Sequence, residues 1–284
     1  HQYMLFFTQK GKCFWMRVYE IPEGSKTSKG RAIQNLINIE QDDKVKAFIN
    51  TQDLKDEAYI NSHYLIMATK QGQVKKTSLE QYSRPRANGI NAITVKEGDE
   101  LLSAKLTNGE SEILLALKSG KSIRFEESKT RPMGRNASGV RGITLSGPKD
   151  EVIGMVSVND ASTDILVVSE NGYGKRSSLD DYRITNRGGK GVKTISITDK
   201  TGDLVSIKNV SDENDLMIIN KSGIAIRMSV ESLRVMGRAT QGVKLINLKG
   251  DDQIAAVAKV MKEEDSVEEN DEITEANTDG TNLE

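Results

Sequence analysis

Residues 170–193 read Glu-Asn-Gly172-Tyr-Gly-Lys175-Arg176-Ser-Ser-Leu-Asp-Asp-Tyr182-Arg183-Ile-Thr-Asn186-Arg187-Gly188-Gly189-Lys190-Gly191-Val-Lys193. Two glycines frame this stretch: Gly172, between an apolar run (Asp164–Val168) and a more polar one (Gly174–Leu179), and Gly191, 19 residues later. Two short runs about an x-Gly turn describe a β-hairpin. The frame recurs along the chain. Turn glycines stand at Gly11, Gly72, Gly120, Gly172 and Gly223, and a second glycine follows at Gly30, Gly89, Gly139, Gly191 and Gly242. Beyond the second glycine come two more strand-like runs, such as Val192–Ile197 and Leu204–Val210. Five units of about four short strands each, at about 50 residues per unit, match a propeller blade. No unit holds a long 3.6-period apolar segment, which disfavours βαβ units. A β-sandwich is the structural rival, but it has no need for the same two glycines in every unit.

Composition agrees with a shallow-cored all-β chain: 36% of the 284 residues are hydrophobic. The formal charge of −1 hides a segregation. Ten acids (Glu263, Glu264, Asp265, Glu268, Glu269, Asp271, Glu272, Glu275, Asp279 and Glu284) crowd the last 22 residues, while residues 1–261 keep 39 of the 40 Lys and Arg and 31 of the 41 Asp and Glu, a net of +8. A basic body with an acidic end points to a polyanion partner. Residues 1–261 are therefore expected to be the folded β domain, and 262–284, polar and aperiodic, a disordered acidic tail. One cysteine, Cys13, permits no internal disulfide, and with His1 and His63 it makes no zinc set. No run approaches the length of a membrane span. A cytoplasmic protein with no membrane partner is expected.

The region between the two glycines carries the chemistry. A base stands four residues before the second glycine in four units (Lys26, Arg135, Arg187, Arg238), and another follows it by one or two residues (Arg31, Arg141, Lys193, Lys244). Lys29 and Lys190 add to the first and fourth units, and the second, shorter loop carries Arg84 and Arg86. The second hairpin strand contributes Lys75, Lys76, Arg124, Lys175, Arg176 and Arg227. Glycine lets a backbone approach a ligand closely, and exposed N–H groups beside Arg and Lys make a phosphate cradle. Gly188, Gly189 and Gly191 are the expected cradle of the fourth unit. A single such loop reads equally well as a solvated turn. The same register in four units is the footprint of a nucleic-acid binder.

Asn186-Arg187-Gly188-Gly189-Lys190-Gly191, with Asn171–Arg176, Gly139–Ile143 and Val235–Arg238, resembles the family of C-terminal domains of the DNA gyrase A protein, over about residues 1–260. The resemblance implies a six-bladed β-pinwheel that wraps duplex DNA around its rim. It implies partners in the remainder of the gyrase A protein and in the gyrase B protein, with ATP and Mg acting elsewhere in the parent enzyme and no cofactor in this domain. It also implies that the chain begins past the family's principal box, with its first blade cut through. The corresponding domain of topoisomerase IV and a protein-interaction scaffold are the rivals.

Other candidates carry less. Tyr182 beside Arg183 suggests a DNA-cleaving tyrosine, but the same offset holds Tyr82 and Leu233, as a packing position would. Gly172-Tyr173-Gly174 has no helix after it and fails as a dinucleotide fingerprint. Trp15 and the seven tyrosines fit a core better than a stacking platform.

Charge alone makes the tail a competitor for the rim bases, held at millimolar effective concentration by its tether. Removing residues 262–284 is then expected to tighten DNA binding at low salt, by a margin that shrinks as salt screens the tail. A titration of both chains against duplex DNA checks this, and unchanged affinity at low salt rejects it.

Overall fold

Apolar runs meeting across tight glycine turns give each unit an antiparallel hairpin. The computed structural model describes residues 2–25 and 28–262, so Lys26 and the acidic tail from Glu263 onward lie outside the described residues. In chain order the strands are β1 (Gln2–Thr8), β2 (Lys12–Arg17), β3 (Val45–Asp53), β4 (Tyr64–Thr69), β5 (Gln73–Ser78), β6 (Ile90–Asn91), β7 (Leu101–Thr107), β8 (Glu112–Leu117), β9 (Lys121–Glu126) and β10 (Val140–Arg141). They continue with β11 (Val152–Val158), β12 (Asp164–Ser169), β13 (Tyr173–Ser178), β14 (Val192–Lys193), β15 (Leu204–Val210), β16 (Asn214–Asn220), β17 (Ala225–Ser229), β18 (Val243–Lys244) and β19 (Ile254–Met261). The hairpins are β1–β2, β4–β5, β8–β9, β12–β13 and β16–β17. One α-helix (Glu57–Ser62), capped by the Asp56 carboxylate, is the only one among the described residues.

The strands form five blades around a channel. Four are four-stranded, in the orders β3-β1-β2-β6, β7-β4-β5-β10, β11-β8-β9-β14 and β15-β12-β13-β18, and the fifth is three-stranded, β19-β16-β17. The propeller-like all-β architecture expected from the repeats is present, with five blades among the described residues rather than six. One expectation is corrected. A blade does not take its four strands from one unit, because the short outermost strand is lent by the unit that follows: β6 to β2, β10 to β5, β14 to β9 and β18 to β13.

This loan explains the two glycines. The carbonyl of each of the first four turn glycines accepts two N–H groups from the next unit: Ala92 and Ile93 onto Gly11 (2.8 and 3.2 Å), Gly142 and Ile143 onto Gly72 (2.8 and 3.4 Å), Thr194 and Ile195 onto Gly120 (2.8 and 3.3 Å), and Leu245 and Ile246 onto Gly172 (2.8 and 3.4 Å). The second glycine of the second to fifth units then packs on the preceding hairpin. Gly191, at φ +70°, has room for no side chain, since a Cβ would stand 2.4 Å from the Ser122 carbonyl oxygen. At the inner edge a matching seam runs from Leu101, Val152, Leu204 and Ile254 N–H to the carbonyls of Gln9, Lys70, Lys118 and Glu170 (2.8–3.0 Å).

Apolar side chains fill the spaces between blades rather than a single centre. Leu5, Phe7 and Cys13 of the first blade pack with Leu65, Met67 and Tyr82 of the second unit. Equivalent clusters join the second blade to the third, the third to the fourth and the fourth to the fifth. Phe6, Phe14 and Met16 on the other face of the first blade are covered by Ile37 and Ile39 of its own unit. The five inner strands β3, β7, β11, β15 and β19 enclose a channel of about 760 Å³.

Gly191→Ala is expected to destabilise the fold by about 1–3 kcal/mol, through strain at a positive φ and the collision with Ser122. Gly189, whose added Cβ would meet Ile123 Cδ1 at 3.5 Å and the Asn186 carbonyl oxygen at 4.0 Å, both ordinary contacts, is expected to accept Ala within about 0.5 kcal/mol. Urea unfolding of both variants checks the difference, and equal losses would contradict the seam.

Candidate nucleic-acid interface

After each of the first four hairpins the chain makes a short 3-10 turn (Val18–Glu20, Leu79–Tyr82, Glu127–Lys129, Leu179–Asp181). In the third, fourth and fifth units the loop that follows runs back along the preceding blade. Pro132, Ile184 and Val235 bridge in parallel to Lys76, Arg124 and Arg176, and Met133, Thr185 and Met236 N–H donate to those same three carbonyls at 2.7, 2.9 and 2.8 Å. The loops therefore lie on the outer circumference, each seated on its neighbour, and their exposed bases ride on that edge.

The hairpin bases are placed otherwise than expected. Lys75 and Lys175 are fully buried beneath the next unit's loop. The Lys75 ammonium donates to the Ala92 and Arg135 carbonyls (2.5 and 2.6 Å), and that of Lys175 to the carbonyls of Gly237 and Thr240 (2.8 and 2.9 Å) and of Arg238. Lys76 is buried against Glu127 (3.2 Å) and over the Tyr64 ring. Arg124 bonds Glu112 (2.7 Å) and the Leu179 and Tyr182 carbonyls (both 2.9 Å), and Arg176 bonds Asp164 and Asp212 (both 2.6 Å). Trp15 holds the same position in the first blade and donates to the Tyr82 carbonyl at 2.9 Å. These five cationic residues hold loops in place instead of facing phosphate. A buried charge needs partners, and the carbonyls of the loop supply them. Arg227, on the β17 edge of the fifth blade, which no described strand covers, is exposed and bonded to Asp215 at 2.7 Å.

A second set staples loop to loop. The Arg187 guanidinium donates to the Lys129 and Arg141 carbonyls (both 3.0 Å), Arg238 to those of Asp181 (3.0 Å) and Lys193, and Arg135 to that of Asn91 (3.4 Å). These three are half-buried. The glycines Gly188 and Gly189 face protein as well. Gly188 N–H donates to the Gly142 carbonyl (2.6 Å) and the Gly189 carbonyl accepts from Thr144 N–H (2.9 Å). The adjoining unit thus takes up the Gly188 N–H of the expected cradle, while Gly189, Lys190 and Gly191 line a hollow beside Arg183.

What remains open is a peripheral series: Lys29, Arg31, Arg84, Arg86, Arg141, Lys190, Lys193 and Lys244 are all exposed. Arg131, Arg183 and Arg234, also exposed, form a set that sequence reasoning did not pick out. Each stands 11 residues after its turn glycine, and that shared offset was the signal available. None of these eleven has an ion pair or side-chain hydrogen bond to another described residue. Tyr82 and Tyr182 are buried at the packing position anticipated for them, with Tyr182 Oη 2.6 Å from Thr194 Oγ1. Among the described residues no group of His, Cys, Asp and Glu could hold a metal ion, and no helix is long and apolar enough to cross a membrane.

Comparison with known proteins places this geometry. A family model described as DNA gyrase C-terminal domain, beta-propeller, matches residues 2–52, 63–108, 112–159, 163–211 and 214–261, one stretch per blade. The DNA gyrase A protein of Staphylococcus aureus strain MRSA252 is 44% identical over 282 residues, 99% of this chain and 31% of the relative; that of strain NCTC 8325 is 44% identical over 284 residues, 99% and 32%. The chain thus spans about a third of the length of the curated relatives it matches. Among solved structures, the C-terminal domain of DNA topoisomerase IV superposes with a TM-score of 0.82 at 23% identity, covering 92% of this chain and 79% of that one. The DNA gyrase A C-terminal domain does so with 0.78 at 24%, covering 92% and 83%. At these identities the superpositions speak for the fold alone.

Burial, and then the charge of Arg135, pushes Lys75 down to about 7; burial, and then Arg238, pushes Lys175 down to about 8. An unfolded lysine titrates near 10.4, so between these values the folded chain holds fewer protons than the unfolded one and stability rises with pH. Above the unfolded value both states are neutral and the penalty is gone. The double variant Lys75→Met/Lys175→Met is expected to lose that rise, whose upper bound is about 1.4 kcal/mol per pH unit for each lysine. Urea unfolding from pH 7 to 10 checks it, and parallel pH profiles for the two proteins contradict the assignment.

Proposed function

The chain belongs to the DNA gyrase C-terminal domain family, and from that premise we propose that it binds duplex DNA along its outer circumference and bends it there, without reading sequence. The observation that carries this reading is the repetition of unpaired, exposed bases at fixed offsets. Arg131, Arg183 and Arg234 occupy one offset on three successive units, and Arg141, Lys193 and Lys244 occupy another. Contacts to phosphate set affinity and position but carry no base information. Histones bend DNA on such contacts alone. Smooth bending of a 20–30 base-pair site by 40–90° costs about 1–6 kcal/mol, which several phosphate contacts on successive blades offset. The buried and stapled bases contribute by presentation. They fix each loop on its neighbour, so the exposed charges keep a set spacing around the arc.

In the parent enzyme such an arc hands a curved DNA segment to a cleavage core supplied by the rest of the gyrase A protein, with the gyrase B protein as the further partner and ATP and Mg used there. This fragment then acts in a type II topoisomerase with no chemistry of its own, in the cytoplasm and on the chromosome. A protein-interaction scaffold is less well supported, because Ile184 and Val235, exposed on the fourth and fifth loops, each adjoin an exposed arginine (Arg183, Arg234).

Affinity for duplex DNA is expected to fall with salt at a log–log slope of about −0.9 per phosphate contact. The triple variant Arg131→Gln/Arg183→Gln/Arg234→Gln is expected to make that slope shallower by about 2.7, one contact per residue, with folding unchanged within about 0.5 kcal/mol per substitution. Fluorescence anisotropy across a salt series reads the slope. An unaltered slope would remove these residues from the interface, and a strong preference for one sequence would remove the mode of binding.

A further inference from the structure

The central channel carries a charge that the function above does not use. Lys105 on β7 and Lys208 on β15 sit in the same strand register, opposite Ile66 and Leu166, and both line the channel. Lys259 on β19 stands beside them, its ammonium 3.4 Å from Asn209 Oδ1. None of the three has an ion pair among the described residues. Other lysines near the channel are compensated: Lys46 on β3, which also lines it, pairs with Glu100 (3.9 Å), and Lys70 and Lys118 in the hairpin turns pair with Glu100 (3.0 Å) and Asp203 (3.5 Å). Burial lowers the pKa of all three, and neighbouring charge lowers two of them further: Lys208 through Lys105 and Lys259, and Lys259 through Lys105. Like charges gathered in a walled space cost stability unless an anion joins them.

Position identifies the anion. Each lysine lies two residues before the end of its inner strand, so the cluster occupies the end of the channel where the chain leaves β19. The chain that leaves there is Glu263–Glu284, with ten carboxylates and an opening run of Glu263-Glu264-Asp265. Its reach when extended is roughly 70 Å, and its tether holds it at an effective concentration of millimolar order. The rim bases lie on the outer circumference, on the far side of each blade. We propose that the central channel is the docking site of this chain's own acidic tail, whose carboxylates pair with Lys105, Lys208 and Lys259. A tail seated in the channel leaves the rim bases free, in contrast to the competition that charge alone suggests. The proposal is independent of DNA binding.

Zero-length carbodiimide coupling of the full chain at low salt, mapped by peptide mass spectrometry, tests it without DNA. Tail carboxylates are expected to couple to Lys105 and Lys208 at least tenfold more than to the rim lysines Lys190, Lys193 and Lys244, and to lose that coupling at high salt. Lys259, close in sequence to the tail, is not counted. Coupling concentrated on the rim lysines, or absent from Lys105 and Lys208, overturns the proposal. A second reading uses thermal melting of the full chain at low salt. Lys105→Gln/Lys208→Gln is expected to raise the melting temperature when the tail acids are changed to their amides, since only repulsion is then relieved, and to lower it when the tail is intact. The same sign in both backgrounds overturns the proposal.

Discussion

Everything in this molecule depends on one joint, made four times: the carbonyl of a hairpin-turn glycine accepts two N–H groups from the unit that follows. That joint seats the lent outer strand, closes the apolar cluster between two blades and lays the next loop along the preceding hairpin. A second glycine is needed beside it because two backbones meet there with no space for a Cβ. The individual bonds are modest, each of order 1 kcal/mol net. Their arrangement makes each blade a shared product of two units, so interface and fold are not separable in the way they are in a bead-like repeat protein.

Much of the fold was legible in the chain, and for a physical reason. Gly72, Gly120, Gly172 and Gly223 repeat because turn geometry tolerates little else, and the period they set is the blade. What the spacing could not tell was which unit a strand belongs to. Val192–Lys193 follows Gly191 in sequence yet completes the blade before it, and a two-residue strand has no pattern from which to read a partner. Close backbone approach is what these glycines serve, as expected, and at Gly139, Gly191 and Gly242 the backbone approached is that of the preceding hairpin.

The bases show a finer limit. Lys75 and Lys76 look like any surface pair in sequence, and a strand ordinarily sends neighbours to opposite faces. Here one face meets the returning loop and the other meets Glu127 and Tyr64, so both are buried. Conversely Arg131, Arg183 and Arg234 stand beside residues that pack, and only their common offset sets them apart from ordinary loop charge. A base at a repeated position is thus a sound sign of a repeated role, but whether it contacts a partner or anchors the element that does so is decided by what lies across the seam.

The lent strand also has a consequence in time. A blade remains one strand short until the following unit has been made, so during synthesis each hairpin emerges with an unpaired edge and an apolar face still open. Translation at about 5–20 residues per second leaves that edge waiting for roughly 2–10 seconds while the next 50 or so residues appear. Assembly on the ribosome is therefore a relay from the first unit to the last, each unit finishing its predecessor and exposing a new edge. The one edge at risk of pairing with a foreign strand moves along the chain with the polymerising end.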